Sequence, residues 1–162
     1  MVNSRRKGHD AELKAAAMMK RITGENFVQT PGSGSGKIKG DLHVEHKHNL
    51  FCIEIKHYKD MGFNHKIFTQ KSNVFVKWWS KLCRQSEEMK QEPLLIFKEN
   101  HSQWYVATTR KPQYKKHMYI NWLGCYVTFA EQFLETQEVK FTNGNTIYEP
   151  WKADSQWELI DC

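Results

Sequence analysis

The sequence has no apolar run long enough to cross a bilayer, and it has only four cysteines, which lie far apart. A transmembrane helix needs about 20 consecutive apolar residues, so no membrane span is expected. The first seven residues are basic, but no apolar stretch follows them, so no secretory signal is expected either. Because there is no CxxC pair, a disulfide framework or a structural zinc site is disfavoured. Reduced thiols in the cytoplasm are the simple interpretation.

The proportions of apolar and charged residues exclude a disordered chain. Hydrophobic residues make up 40% and charged residues 26% of the 162 residues, a length that suits one domain with its own core. The formal net charge is +6 and the pI is near 9.1. This balance favours polyanionic partners, although basic charge alone does not identify a nucleic-acid-binding protein.

Periodic patterns predict the elements of an α/β fold. Apolar residues at three- and four-residue spacing predict a helix at 4–22, which Thr23-Gly24 ends, and further helices at 72–89 and 129–136. Alternation predicts strands at 41–45 and 50–56, joined by a hairpin turn at 46–49. Further strands are expected at 26–29, 94–97, 103–108 and 119–127, with a Gly/Ser loop at 31–36, a basic loop at 111–116 and a turn at Asn143-Gly144. The core order α-β-β-β-α-β-β is a mixed β-sheet flanked by helices.

The strongest local signal for chemistry is Glu54-Ile55-Lys56 on the 50–56 strand. Residues two apart on a strand point to the same face, so Glu54 and Lys56 project together. Asp41 begins the neighbouring strand, and hairpin pairing can bring it to that face. Two carboxylates and one ammonium would then meet at one end of the sheet.

Such a trio suits the hydrolysis of a phosphodiester. Mg²⁺ prefers oxygen ligands, usually a few carboxylates completed by water and phosphate oxygens. The cation polarises the phosphate and lowers the pKa of a bound water. A neighbouring lysine can orient that water or stabilise the charge that develops on phosphorus. Without a cation, Asp41 and Glu54 would repel each other.

Four elements in order resemble the PD-(D/E)XK nucleases. They are Arg6-Lys7-Gly8-x-x-x-Glu12 on the first helix, the Gly/Ser loop, Gly40-Asp41, and, after twelve intervening residues, Glu54-Ile55-Lys56. Over about residues 4–110 the set is similar to the archaeal-type Holliday junction resolvases and their phage relatives. An E-x-K alone is weak, because many surface strands contain one, but the ordered set is specific. The resemblance implies a restriction-endonuclease-like fold in one nuclease domain, 1–162, whose C-terminal extension 111–162 packs on the core.

The resemblance also implies a role for each candidate residue of the active centre. Asp41 and Glu54 would be the principal metal ligands, with the Ile55 carbonyl and the helix-borne Glu12 as further ligands. Lys56 would be the catalytic lysine. Either serine of the Gly/Ser loop, Ser33 or Ser35, would match the serine that approaches the scissile phosphate.

Basic residues are the candidate DNA contacts. The full set is Arg5, Arg6, Lys7, Lys37, Lys39 and Lys66. By the resemblance, the first three of these match the basic N-terminal arm of the resolvases. Lys66, with Lys71, Lys77 and Lys81, either belongs to a solvated face or contacts phosphates as a point charge.

Several of these residues have a plainer interpretation. Glu12 could be an exposed helix residue, and Glu54 with Lys56 could be an ion pair on a wet sheet face. The Gly/Ser loop is not a P-loop, because its spacing is short and Ile38 stands where Ser or Thr would bind Mg²⁺. It is either a flexible loop or one that approaches a phosphate. Gly40 stands where the motif has Pro, which leaves the geometry of that loop open.

Histidines and tryptophans near these elements favour structural explanations. Four histidines reproduce no known zinc-ligand spacing and are expected to be exposed in turns; they are His43, His46, His48 and His57. The Trp78/Trp79 pair is expected in the core or on a dimer surface rather than as a base-stacking platform.

The expected function is a Mg²⁺-dependent endodeoxyribonuclease, with Mn²⁺ able to substitute, that resolves Holliday junctions in DNA recombination and repair. A C2 homodimer would place two identical sites on the two-fold symmetric junction for paired cuts. No base-reading motif is visible, so backbone shape and charge would give specificity. Two alternatives stay open: the same chemistry on other DNA (restriction-like, nicking or processing), and a basic DNA-binding scaffold with an unused site.

Overall fold

The structure is a computed structural model that describes residues 4–31, 38–61, 63–136 and 139–146. Its helices are α1 (Ser4–Thr23), α2 (Val74–Glu88) and α3 (Ala130–Thr136). Its strands are β1 (Phe27–Gln29), β2 (Leu42–Val44), β3 (Lys47–Asn49), β4 (Phe51–Tyr58), β5 (Glu92–Glu99), β6 (Tyr105–Thr108), β7 (His117–Ile120), β8 (Cys125–Phe129) and β9 (Thr142–Thr146). Short 3₁₀ helices cover His65–Phe68 and Asn121–Leu123. None of the helices in the described ranges combines the length and apolar character of a membrane span.

Seven strands form one mixed sheet in the order β1-β2-β4-β5-β6-β8-β7. The central pair β4–β5 is parallel, and the other neighbours are antiparallel. A parallel pair needs a crossover connection, usually a helix, and α2 supplies it. The predicted fold class, a mixed sheet flanked by helices, is confirmed.

Two apolar cores lie on opposite faces of the sheet. On one face α1 and α3 pack together over alternate residues of β4, including Phe51, Ile53 and Ile55. On the other face α2 packs over Cys52 and the neighbouring strands. Because successive strand residues point to opposite faces, the even-numbered residues of β4 lie on the α2 side.

Helix ends follow local chemistry. Gly24 adopts a positive φ of 79° after α1, and its N–H donates to the Lys20 carbonyl. Glycine takes this left-handed conformation without steric cost. At the start of α2, the Asn73 side chain accepts a hydrogen bond from the Val76 N–H, an N-cap that satisfies one unpaired backbone donor.

Two predicted turns are wrong. Residues 47–49 of the expected hairpin turn form β3, and Asn143 and Gly144 lie inside β9, which pairs with β3. Asn49 anchors the segment, because its side chain donates to the Val44 carbonyl and accepts from the Val44 N–H, both at 2.8 Å. The polar composition indicated a turn locally, whereas pairing with a segment about 95 residues away decides the conformation.

The predicted strand at 119–127 is a hairpin of two strands, β7 and β8. A 3₁₀ turn and Gly124, with a φ of 65°, reverse the chain between them. Both strands extend the same sheet as β4 and β5. The mostly apolar composition of residues 119–127 indicated one strand, although a tight turn divides the segment.

Candidate active site

Asp41 lies directly before β2, and the backbone holds it on both sides. Its N–H donates to the Ile53 carbonyl at 2.6 Å, and its carbonyl accepts from the Thr30 N–H at 2.9 Å. Gly40 before it has a φ of 88°, and a Cβ there would lie 2.9 Å from the Ile53 oxygen. Proline, whose ring holds φ near −65°, does not fit at this position, which explains why glycine stands where the motif has Pro.

The Asp41 side chain reaches across to β4. Its Oδ2 accepts a hydrogen bond from the Ile55 N–H at 2.7 Å. The carboxyl groups of Asp41 and Glu54 are close enough for each to affect the pKa of the other.

Glu54 and Lys56 project from the α2 side of β4. The Glu54 Oε1 lies 3.4 Å from the Lys56 Nζ, and the two side chains are only 19% and 24% exposed. The Lys56 Nζ also lies 5.5 Å from the centroid of the Trp78 ring on α2. The strand alternation expected from the sequence thus brings both groups to one place.

Glu12 approaches the same region from α1. Its Oε2 accepts a hydrogen bond from the Gln29 Nε2 at 2.8 Å, and Gln29 stands at the end of β1. Gln29 also contacts the His9 ring, at 2.9 Å. Glu12 is close enough to Asp41 and Lys56 for their charges to act on it, so the structure places it beside the other three predicted residues of the active centre.

Burial makes the ionised carboxylates unfavourable here. Burial, together with the Asp41 charge, raises the pKa of Glu54 to about 7, and Lys56 opposes this shift. Burial also raises the pKa of Asp41 above its ordinary value, although the hydrogen bond from Ile55 opposes it. The pKa of Glu12 is raised by burial and then by Asp41. A cation bound among these groups would favour their ionised forms.

No cluster of three or more His, Cys, Asp or Glu side chains that could hold a metal occurs in the described part of the chain. Asp41 and Glu54 therefore form a two-carboxylate centre, with Glu12 held beside it by Gln29. Such a centre still fits Mg²⁺, which is usually bound by one or two carboxylates plus water and phosphate oxygens. The expectation that His43 is exposed in a turn is wrong, because it lies buried in β2 and its ring contacts the Thr30 hydroxyl at 3.1 Å.

The candidate DNA contacts are scattered. Arg5, Arg6 and Lys7 lie on the first turn of α1 rather than on an extended arm, and the Lys7 Nζ donates to the Asn100 Oδ1 at 3.1 Å. Lys39 is half-buried just before Gly40. Exposed Lys66 lies on the first 3₁₀ helix. The remaining candidates, Ser33, Ser35 and Lys37, lie outside the described residues.

Three residues near the carboxylates were not among the predicted site residues. Lys81 on α2 lowers the pKa of both Asp41 and Glu54 through its charge. Gln29 orients Glu12, and Trp78 covers Lys56. Lys81 had a sequence signal as one of the lysines on a helix face, and Trp78 was expected in the core or on a dimer surface. The packing of α2 against β4 decides which of these side chains faces the site.

A cavity of about 510 Å³ lies elsewhere on the α2 side of the sheet. Aromatic side chains dominate its wall, among them Phe63, Phe97, Tyr105 and Phe129. None of the candidate active-site residues lines it.

Comparison with known proteins places this geometry in a family. Residues 3–155 match the sequence model of a family described as "Phage putative PDDEXK endonuclease". The chain is 33% identical over 113 residues to Protein D14 of Escherichia phage T5, across 65% of this chain and 71% of that protein. Among solved structures it is similar to Hjc, a Holliday junction resolvase from the archaeal hyperthermophile Archaeoglobus fulgidus. That similarity has a TM-score of 0.41 and 11% identity over 78% of this chain and 87% of that chain.

The family match spans nearly the whole chain, and it confirms the resemblance inferred from the motif residues. A nuclease of this kind acts on DNA, and its substrate carries the negative charge that the chain's net positive charge complements. The chain belongs to the phage PD-(D/E)XK endonuclease family.

Proposed function

We propose that this protein is a Mg²⁺-dependent, structure-selective DNA endonuclease that resolves Holliday junctions. The observation that carries the catalytic half is the pair of largely buried, interacting carboxyls of Asp41 and Glu54, with the Ile55 N–H 2.7 Å from the Asp41 Oδ2 and the Lys56 Nζ 3.4 Å from the Glu54 Oε1. The junction as substrate is supported by the motif order shared with resolvases. It is the more specific part of the proposal.

The donor set fits a hard divalent cation, and PD-(D/E)XK nucleases generally use such metals. Asp41 and Glu54 would hold the ion, with the Ile55 carbonyl and Glu12 as further oxygen donors. The raised pKa values are consistent with this, because burial disfavours the ionised carboxyls more than the nearby lysines stabilise them. A cation in this position would polarise the phosphate and lower the pKa of the attacking water.

The chain's own residues would then position the reacting groups. Lys56, held between Glu54 and the Trp78 ring, would stabilise negative charge on the phosphate. Gln29 would keep the Glu12 carboxylate turned toward Asp41. Exposed Lys81 would add positive potential beside the cut strand.

Paired cuts at a four-way junction need two active sites related by two-fold symmetry. A C2 homodimer supplies them, since it repeats one site on a symmetric substrate. We therefore propose a homodimer as the active form. The serines and lysine of the loop at 32–37 would approach the phosphate from the chain segment just before Asp41.

The test is a cleavage panel. Synthetic four-way junction, flap, linear duplex and single-stranded DNA are incubated with Mg²⁺, with Mn²⁺ or with chelator. We expect symmetric paired nicks in the junction that require the metal and disappear in Asp41→Ala and Glu54→Ala proteins. Glu12→Gln should lower the rate less.

Other outcomes would redirect the proposal. Metal-dependent cutting of duplex or flap but not junction DNA would leave the nuclease chemistry and reject the resolvase. Junction binding without cutting of any substrate would favour a DNA-binding scaffold. Unchanged cleavage by either alanine protein would reject the proposed site.

A further inference from the structure

An aromatic pair lies beside Lys56. Tyr58 ends β4, two residues after Lys56 on the same side of the strand, and its ring centroid lies 4.8 Å from that of Trp78. The rings are tilted by 44°. Trp78 also lies under the Lys56 ammonium, so one tryptophan connects the candidate catalytic lysine to an outward-facing tyrosine.

This pair lies at the margin of the apolar core rather than inside it, because Trp78 is partly buried and packs against the core under α2, while Tyr58 lies outside that core. Trp79, the next residue, is 2% exposed and donates its Nε1–H to the Leu123 carbonyl, as a core tryptophan does. Trp78 is only half-buried, and Tyr58 is 46% exposed. Large apolar rings left partly in water are informative when they adjoin a site, since isolated ones are common on protein surfaces.

We infer that Tyr58, backed by Trp78, is a stacking site for an unpaired nucleobase of the bound DNA strand. The inference rests on the proposed function, because it places the base next to the phosphate that Lys56 would contact. Every base offers a π-face, so such a site is tolerant of sequence. Lys56 and Lys81 provide positive charge for the adjoining phosphates.

This site would distinguish an unpaired nucleotide from a paired one, and it would not distinguish one base type from another. In an intact duplex each base is already stacked and paired, so using the Tyr58 ring requires unstacking, which costs a few kcal/mol. A nucleotide that is unpaired at a branch avoids most of that cost. The site therefore favours branched DNA, in which a nucleotide beside the cleavage position is unpaired or unpairs more readily than it does within a duplex.

The chain offers a matched control at the far edge of the sheet. Tyr119 on β7 and Tyr126 on β8 have centroids 4.5 Å apart and a tilt of 38°, and Tyr119 is 50% exposed. This pair resembles Tyr58–Trp78 in geometry and exposure, but it lies four strands from β4. Removing the Tyr119 ring reports the general effect of losing an exposed aromatic side chain.

The test measures binding in an Asp41→Asn background with chelator, so that no cutting occurs. The probe is flap DNA with an unpaired 2-aminopurine at the branch, compared with a blunt duplex of the same sequence. Tyr58→Leu should weaken flap binding roughly five- to a hundredfold, the range for one lost base–aromatic stack. It should also abolish the quenching of 2-aminopurine. Tyr58→Phe should retain both, and Tyr119→Leu should match the parent.

Three outcomes would overturn the inference. One is a Tyr58→Leu protein that behaves like Tyr119→Leu; another is an equal loss for flap and duplex. The third is a loss of self-association in place of the loss of quenching. The wild-type protein could cut none of the DNA substrates while the quenching of 2-aminopurine still depends on Tyr58. In that case the stacking site stands and the proposed nuclease function fails. Melting temperatures of each variant confirm that the fold is intact.

Discussion

The two faces of β4 differ in what surrounds them, although the residues alternate along one strand. Phe51, Ile53 and Ile55 are at most 6% exposed under α1 and α3. On the opposite face Glu54 and Lys56 keep some contact with solvent, and burial raises the pKa of the glutamate. One face therefore contributes stability through apolar burial, while the other holds carboxylates in a state that costs stability unless a cation or proton is present.

The largest expected difference in cleavage rate is between substitutions of Lys56 and of Lys98. Each ammonium lies 5.5 Å from a tryptophan ring, Lys56 over Trp78 and Lys98 over Trp104. Only Lys56 adjoins Glu54, so Lys56→Met should lower the cleavage rate about a hundred- to a thousandfold, and Lys98→Met should lower it less than about threefold. Single-turnover cleavage of the preferred DNA measures both. Equal losses would mean that general charge, not position, matters.

The apolar face should respond in stability. Ile53→Ala removes a side chain that is 1% exposed, and the lost burial plus the cavity should lower the free energy of unfolding by about 2–5 kcal/mol. Urea denaturation of the variant, beside Lys56→Met, checks the contrast. A Lys56→Met protein as destabilised as Ile53→Ala would abolish the distinction between the faces.

Gly40 precedes Asp41, and its left-handed backbone conformation fixes the position from which the Asp41 side chain reaches β4. Gly40→Ala would combine a left-handed φ with a Cβ 2.9 Å from the Ile53 oxygen, and we expect a loss of about 1–3 kcal/mol. Gly8→Ala on α1 is the control, since nothing lies within 4 Å of its Cβ position; helix propensity should stabilise it by up to about 1 kcal/mol. Urea denaturation of both variants measures these changes. A Gly40→Ala protein as stable as the wild type would contradict the strained turn.

Glu54→Gln tests the cost of the polar face without metal. The raised pKa means that the protonated carboxyl contributes stability fully below about pH 4.5, the ordinary value, and that this contribution is lost as pH rises through about 7. In chelator at pH 8, Glu54→Gln should therefore be about 1–3 kcal/mol more stable than wild type, and nearly equal at pH 4.5. Added Mg²⁺ should reduce the difference in unfolding free energy between the two proteins, because it stabilises the wild type. A variant that is less stable at pH 8 would reject this account.

How much could be read from the sequence depends on the range of the interactions involved. The helix at 4–22 and the strand carrying Glu54 and Lys56 follow from local periodicity, and the structure has them within two residues of the predicted bounds. The β3–β9 pairing could not be predicted, because strand pairing depends on partners distant along the chain. For the same reason Gln29 and Trp78 were not predicted site residues.

The sequence by itself named the candidate residues of the active centre and determined that Glu54 and Lys56 share a face, because a strand alternates with a strict period of two. The ordered motif residues also determined the family. Only the tertiary structure decided that Asp41 hydrogen-bonds to the Ile55 amide, that Gln29 holds Glu12, and that Trp78 rather than Trp79 covers Lys56. The physical reason is that these contacts join separate elements, and their packing decides which side chains meet.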